Sequence, residues 1–252
     1  MNHSKAPAAA SGRSLAIMRQ SPSGLCVPRL GGEANPSQAA APKIPRPSGR
    51  GSIGLKAEVS NHKGSQMRII AGACRGRVLH TVSGPGYRPA MGKVRESLFS
   101  MLEARGVVWG AVRFLDVFAG SGSLGFEALS RGAVWADFIE MDHKAAECLR
   151  KNAAALDLTG RCAVLEDDAL RVAARRPSAP YHIICVDPPY GAGLFKPVLR
   201  NLMRQGWLED EGFLIAEIEK GLTINPDAQY DLRLEAERLY GNTRILVWVK
   251  NA

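Results

Sequence analysis

Residues 112–125 read VRFLDVFAGSGSLG, a short apolar run that leads directly into a glycine-rich turn. The apolar run predicts a buried strand, and residues 124–131, closed by Gly132, predict a helix after the turn. Glycines are needed between the two because the backbone must turn tightly and let a ligand approach without Cβ atoms in the way. Ligands of open α/β sheets lie outside the carboxyl ends of the strands, so this stretch predicts a nucleotide-like cofactor site. Its backbone contacts are expected at Ala119, Gly120 and Gly122.

The same alternation of apolar runs and amphipathic stretches continues through the rest of the chain. Strands that alternate with helices predict a parallel sheet covered on both faces, which is a Rossmann-like α/β fold. The last two predicted strands have no helix between them, so they add an antiparallel hairpin. The further strands are predicted at residues 135–141, 162–165, 181–186, 212–218, 231–239 and 243–250, and the further helices at 91–105, 143–156 and 194–208.

Acidic residues stand at the ends of the first three predicted strands. Asp116 lies four residues before Gly120, where its carboxylate can face a cationic amino-acid head group. Glu140 ends the second strand, where a carboxylate can accept hydrogen bonds from both hydroxyls of a ribose. After the third strand, Asp168 is the better placed of two neighbouring acids to accept a hydrogen bond from the amino group of an adenine. The alternative for Asp168 is an N-cap of the short helix that follows.

The glycine turn on its own allows two other interpretations. One is a tight strand-to-helix turn without a ligand, and the other is a dinucleotide site. The position of Asp116 and the long segment before the turn disfavour the dinucleotide. Glu127 and Arg131, four residues apart on the predicted helix, are expected to form a surface ion pair.

The strongest motif is Asp187-Pro188-Pro189-Tyr190, which follows the fourth predicted strand at the same edge of the sheet as the glycine turn. The prolines fix the backbone and remove two N–H donors, so the motif offers acceptors only. The Asp187 carboxylate and the Pro188 carbonyl can accept both hydrogens of a planar NH₂ group, and Tyr190 offers a ring on which a base can stack. These four residues are the predicted catalytic motif; the alternative is a rigid turn after a core strand.

Basic residues are concentrated before the cofactor turn. Residues 67–113 contain eight Lys or Arg and two acids, and residues 67–110 are expected to form a basic hairpin and helix ahead of a cofactor domain at 111–252. Such a cluster beside a base-modifying pocket predicts contacts to RNA phosphates, whereas the alternative is an ordinary solvated face. The predicted RNA contacts are Arg75, Arg77, Arg88, Lys93 and Arg95.

The first 66 residues differ in composition from the rest of the chain. They hold nine Lys or Arg and two acids, are rich in Ala, Ser, Gly and Pro, and cannot bury enough apolar surface to fold. They are expected to be a disordered basic tail, a transit peptide, or the result of a start codon assigned too far upstream. Five cysteines without metal spacing favour free thiols in a reducing cytoplasm, and no apolar run is long enough to span a membrane. No metal site is expected, and a monomer is the default.

Taken together, these motifs resemble the RsmD family, whose members methylate N2 of a guanine in bacterial 16S rRNA. The resemblance spans about residues 67–250 and implies a seven-stranded class I methyltransferase fold with one antiparallel strand. It implies S-adenosylmethionine (SAM) contacts around Asp116, Gly120, Gly122 and Glu140, and a substrate already assembled into the small ribosomal subunit. It rests on MRIIAG (67–72), RGR (75–77), RP (88–89), VRESLF (94–99), DVFAGSGSLGFEALSRGA (116–133), FIEMD (138–142) and DPPY (187–190).

The predicted function is therefore methyl transfer from SAM to guanine N2 of 16S rRNA. The DPPY motif also serves adenine-N6 and cytosine-N4 methyltransferases, so an enzyme acting on another base of RNA or DNA is the first alternative. A non-catalytic RNA-binding assembly factor is the second, and a nicotinamide oxidoreductase is the third.

Overall fold

Seven strands form one sheet in the computed structural model, which describes residues 67–82, 92–224 and 227–252. Residues 1–66, with the predicted tail, and Arg88 lie outside the described residues. In chain order the strands are β1 (Arg113–Val117), β2 (Trp135–Ile139), β3 (Cys162–Leu165), β4 (Tyr181–Val186), β5 (Leu208–Glu219), β6 (Leu232–Tyr240) and β7 (Thr243–Lys250). The helices are α1 (Gly92–Ala104), α2 (Ser123–Arg131), α3 (His143–Ala155), α4 (Ala169–Ala173), α5 (Phe195–Arg204) and α6 (Asp227–Tyr230).

The strand order is β3-β2-β1-β4-β5-β7-β6, and the first five strands in the chain run parallel. From β1 the chain adds β2 and β3 on one side of the sheet, and it then returns to add β4 and β5 on the other side. The carboxyl ends of β1 and β4 therefore flank the crevice where such sheets bind ligands. Strand β7 runs antiparallel to both β5 and β6. This confirms the predicted α/β class and the antiparallel hairpin at the end of the chain.

Side chains from the two faces of the sheet belong to two separate apolar cores. Phe114 points to the face covered by α1, α2 and α3, whereas Leu115 points to the face covered by α4 and α5. Residues 67–79 share the first core through Met67, Ile69 and Leu79. Because strands buried on both faces favour apolar residues, β1 and β4 are mostly apolar, apart from Arg113 and Asp116 in β1 and His182 in β4.

A hairpin-like segment, residues 67–79, lies against α2. Ile69 N donates to Arg77 O at 3.0 Å and Leu79 N donates to Met67 O at 2.9 Å, which closes the segment on itself. The Glu127 carboxylate on α2 accepts hydrogen bonds from Ile70 N at 2.8 Å and Ala71 N at 3.0 Å. Helix α2 therefore holds the hairpin through a side chain.

The expectation of a surface ion pair between Glu127 and Arg131 is wrong. The pair forms, with Arg131 Nε 2.9 Å from Glu127 Oε1, but the Glu127 side chain is 0% exposed. The hairpin covers it, and the two backbone amides of the hairpin replace the water that a surface carboxylate would bind. The pair is thus part of the interior.

One predicted boundary also differs. Residues 194–208 were expected to form one helix, but α5 ends at Arg204 and β5 begins at Leu208. Gly206 has φ +72, which ends the helix, and Leu208 pairs with Tyr181 in the sheet. The change of direction brings β5 beside β4, next to the DPPY motif.

Candidate active site

The glycine turn between β1 and α2 has left-handed backbone conformations at Phe118 (φ 65), Gly120 (φ 54) and Gly122 (φ 78). A Cβ atom on Gly122 would lie 2.5 Å from Leu149 Cδ2. Gly122 is therefore required both for the turn and for close contact with α3. Gly125 N donates to Asp116 Oδ2 at 3.0 Å, so the buried carboxylate of β1 is fixed against the first turn of α2.

Two buried carboxylates border this turn. Glu140, only 8% exposed, accepts hydrogen bonds from Gly120 N at 2.8 Å and from Asp142 N at 2.9 Å. Burial raises the pKa of Asp116 to about 7, the bond from Gly125 lowers it, and the charge of Glu140 adds to the rise. A cationic ammonium would remove the cost of ionising Asp116, which is the chemistry expected of a partner for an amino-acid head group.

A shallow apolar pocket lies beyond Glu140. Met141, 67% exposed, lines it with Phe118 and Ile139, and the backbone segment 167–170 closes one side. Exposed apolar surface of this kind suits a planar ring. Asp168 also lines the pocket, but its Oδ1 caps α4 by accepting from Leu170 N at 2.7 Å and Arg171 N at 3.1 Å. The N-cap alternative is therefore confirmed for Asp168; its contact with an adenine stays a prediction.

The DPPY motif begins where β4 ends. Asp187 N donates to Val117 O at 3.3 Å, which ties the motif to the end of β1 beside the glycine turn. Pro188 is buried, whereas Pro189 and Tyr190 are exposed. The Tyr190 hydroxyl is hydrogen-bonded to Thr243 Oγ1 at the start of β7. The motif thus bridges the cofactor side of the sheet and the C-terminal hairpin.

Glu217 on β5 is a further acid at this edge, and the sequence analysis missed it. Burial raises the pKa of Asp187 well above its ordinary value, and the charges of Glu217 and Asp116 raise it further. Burial likewise raises the pKa of Glu217. No local motif marks Glu217, because its place beside Asp187 depends on the pairing of β4 with β5.

Among the described residues, no group of three or more His, Cys, Asp or Glu side chains is arranged to hold a metal ion.

The predicted RNA contacts fall into different environments. Arg75 and Lys93 are exposed. Arg77 is exposed too, but its guanidinium reaches the end of α3, where it bonds to Asp157 Oδ2 at 3.3 Å and to the Ala155 carbonyl.

The prediction that Arg95 is free to contact RNA is wrong, because this residue is only 3% exposed. Its guanidinium donates to the Arg68 carbonyl, and its Nε and Nη1 atoms are buried without a hydrogen-bond partner. Burial lowers its pKa, which the charge of Glu127 partly offsets. Arg95 therefore belongs to the contact between α1 and the hairpin, not to an RNA surface.

The surroundings of the turn fit SAM. One buried carboxylate beside the turn suits an ammonium group, a second suits the hydroxyls of a ribose, and the apolar pocket suits a planar ring. Asp116, Glu140 and the pocket lined by Met141 supply these three features.

Across the described residues, no helix has the length and apolar character needed to cross a membrane.

Comparison with known proteins gives a consistent assignment. The model of the family described as Conserved hypothetical protein 95 matches residues 67–249. Ribosomal RNA small subunit methyltransferase D of Escherichia coli (strain K12) is 42% identical over an alignment of 189 residues, and the match covers 71% of this chain and 92% of that protein. The Haemophilus influenzae protein of the same name is 36% identical over 195 residues, covering 74% of this chain and 99% of the relative.

Solved structures agree with the sequence relatives. The structure of yhhF from Escherichia coli has a TM-score of 0.65 and 37% identity, and covers 74% of this chain and 99% of its own. HI0767 from Haemophilus influenzae has a TM-score of 0.63 and 30% identity, with the same coverage. Since the family model matches most of the chain and these relatives are covered almost from end to end, the chain belongs to the Conserved hypothetical protein 95 family, the RsmD family of methyltransferases.

Proposed function

We propose that this chain transfers a methyl group from SAM to the exocyclic N2 of a guanine in 16S rRNA of the small ribosomal subunit. The observation that carries the proposal is the position of Asp187, a half-buried carboxylate whose backbone is tied to the end of β1, directly beside the glycine turn. The name of the Escherichia coli relative, a small-subunit rRNA methyltransferase, supports the class of substrate. The resemblance described above supplies the guanine N2 position.

In this proposal three groups of the chain hold SAM, which supplies an electrophilic methyl group when it is bound. Asp116 pairs with the ammonium, and Glu140 accepts hydrogen bonds from the ribose hydroxyls while Gly120 and Gly122 keep the turn open. Asp168 and the pocket around Met141 receive the adenine. The support is the burial of both carboxylates and the exposure of apolar side chains beyond them.

Asp187 and the Pro188 carbonyl orient the target amine. An aryl amine is a poor nucleophile because its lone pair is delocalised into the ring, so accepting its hydrogens and holding it in line with the methyl group favours attack. Once the nitrogen carries the methyl group it is cationic and loses a proton. Asp187 is suited to accept that proton, because its raised pKa makes its carboxylate a stronger base than an ordinary aspartate.

The target base must leave its helix or be unpaired to reach this pocket. Tyr190 is exposed at the rim, where its ring can stack on the base, and Pro189 lies next to it. We further propose that Arg75 and Lys93, which are exposed, and Arg77, part of whose guanidinium is exposed, contact phosphates of the rRNA. The protein is proposed to act in the cytoplasm as a monomer; the free thiols of its four described cysteines fit a reducing compartment.

The test is methyl transfer from labelled SAM to small ribosomal subunits that lack this modification, followed by digestion to nucleosides. We expect N2-methylguanine in 16S rRNA from the wild-type protein and none from Asp187→Ala. SAM binding by Asp187→Ala, measured by calorimetry, should persist because Asp187 faces the base. N6-methyladenine or N4-methylcytosine as the product would refute the assigned base. Transfer that survives Asp187→Ala would refute the catalytic motif.

A further inference from the structure

Glu217 lies on β5 at the position that continues the pairing of β4 with β5 toward the active site. Cys185 pairs with Ile215 and Val186 with Ala216 in parallel register. One step further along both strands brings Asp187 beside Glu217, on the face that also carries Cys185 and Ile215. The charge of Glu217 contributes to the raised pKa of Asp187, which agrees with this proximity.

Both carboxylates line one pocket at this edge of the sheet, which is partly open to solvent. Its other walls are mostly apolar and include Leu98, Leu124 and Ile245. Arg95 also lines the pocket; its Nη2 donates to the Arg68 carbonyl, and its Nε and Nη1 have no hydrogen-bond partner. Within the described part of the chain, no cation forms an ion pair with either carboxylate. Two adjacent acceptors that form no ion pair are suited to a ligand that brings two adjacent donors.

The Watson–Crick edges of the bases differ in this respect. Guanine presents its N1–H next to its N2 amino group, so two neighbouring atoms both donate. Adenine and cytosine present their amino group next to a ring nitrogen that accepts, and a carboxylate facing that nitrogen would be repelled. A pair of carboxylates therefore favours guanine over the other two bases that carry an exocyclic amine.

We propose that Glu217 accepts a hydrogen bond from N1–H of the target guanine while Asp187 accepts from its N2 amino group. Glu217 is then a specificity-determining residue for the base. The inference rests on the proposed function, since it concerns the same pocket and the same reaction. It adds a structural reason for guanine that the DPPY motif, shared by enzymes acting on three different bases, does not contain.

The experiment compares full-length wild-type protein with Glu217→Gln in methyl transfer to unmodified small subunits, across a range of pH. Glu209→Gln is the matched control, because it makes the same change on the same strand at an exposed position. Glutamine still accepts from N1–H but without the charge, and this weaker hydrogen bond should lower kcat/KM by about 10-fold. Because Glu217 raises the pKa of Asp187, its removal should also move the acid limb of the pH profile to lower pH.

Two further measurements separate recognition from structure. SAM affinity should not change in Glu217→Gln, and the melting temperature should stay the same or rise, since a half-buried acid with a raised pKa is replaced by a neutral amide. Glu217→Leu, which removes the acceptor altogether, should be less active than Glu217→Gln while it still binds SAM. A structural residue would instead lose stability and activity together, and that result would overturn the inference.

The outcomes also distinguish this inference from the proposed function. Wild-type production of N2-methylguanine with an unchanged rate and acid limb in Glu217→Gln would overturn the role of Glu217 alone. Wild-type production of another methylated nucleoside, or none, would overturn both.

Discussion

Glu127 is the single side chain on which the attachment of residues 67–79 depends most. Its carboxylate is 0% exposed and accepts from Ile70 N, Ala71 N and Arg131 Nε at 2.8–3.0 Å. Glu127→Ala leaves two backbone amides without partners and removes the buried partner of Arg131 Nε, so we expect the free energy of unfolding to fall by about 3–5 kcal/mol. Urea denaturation followed by circular dichroism measures it.

Glu103→Ala is the control for that substitution. Glu103 contacts the same arginine, with 2.6 Å between its Oε1 and Arg131 Nη1, but its side chain is 44% exposed. We expect a smaller loss, of about 1–2 kcal/mol, because Glu103 is partly solvated and Arg131 keeps Glu127, although Trp109 Nε1 also loses its acceptor. Equal losses for the two variants would show that the burial of Glu127 does not matter.

The position of a single side chain could be predicted from the sequence where the residue follows a strand. It could not be predicted where burial depends on a part of the chain that is distant in sequence. Asp116, Glu140 and Asp187 were found because strand ends meet at one edge of a parallel sheet. Arg95 was expected to be free for RNA because it lies next to the apolar stripe of α1. Its guanidinium instead contacts the Arg68 carbonyl, 27 residues earlier, which local spacing does not reveal. Glu217 was missed for the same reason: the pairing of two strands places it.

The docking of the hairpin on α2 depends on Gly72. Gly72 has φ +81, and a Cβ atom there would lie 1.9 Å from Ser130 O, the acceptor of the bond from Ala73 N. Gly72→Ala must therefore displace the hairpin, and we expect weaker binding to small ribosomal subunits with unchanged SAM affinity. Filter binding and calorimetry measure the two affinities.

Gly76→Ala is the matched variant within the same hairpin. Gly76 has the same φ of +81 but nothing lies within 4 Å of its Cβ position. Gly76→Ala should lower the free energy of unfolding by about 1–2 kcal/mol, the cost of an alanine in the left-handed backbone conformation. It should bind subunits as the wild type does. If both variants lost subunit binding equally, backbone strain rather than docking would be the cause.

Elements were predicted well where their apolar pattern has one interpretation. Short, mostly apolar runs followed by a turn, such as β1 and β4, favour strands buried on both faces. Residues 194–208 were ambiguous, because Leu199, Met203 and Trp207 recur at helical spacing across the true end of the helix. Local spacing cannot show that Leu208 pairs with Tyr181, so the start of β5 was not predicted.

The active site affects the stability of the whole molecule through its buried acids. The pKa of Asp116 rises from 3.8 to about 7 on folding, and those of Asp187 and Glu217 rise too. Between about pH 4 and pH 7 the folded chain keeps a proton on Asp116 that the unfolded chain has lost. The free energy of unfolding therefore falls as pH rises through this window, by at most about 4 kcal/mol for Asp116.

We expect Asp116→Asn to be more stable than the wild type at about pH 8, and the difference to shrink toward about pH 4.5. The amide can still accept the hydrogen bond from Gly125 N, so the turn should stay intact. SAM should reverse the trend in the wild type, because its ammonium favours ionised Asp116 and its binding releases the proton. It should therefore raise the melting temperature more at high pH than at low pH in the wild type, and by a smaller amount that does not depend on pH in Asp116→Asn. A SAM-induced rise that did not depend on pH would mean that Asp116 does not bind the ammonium, and the cost of burying its charge would then have no functional explanation.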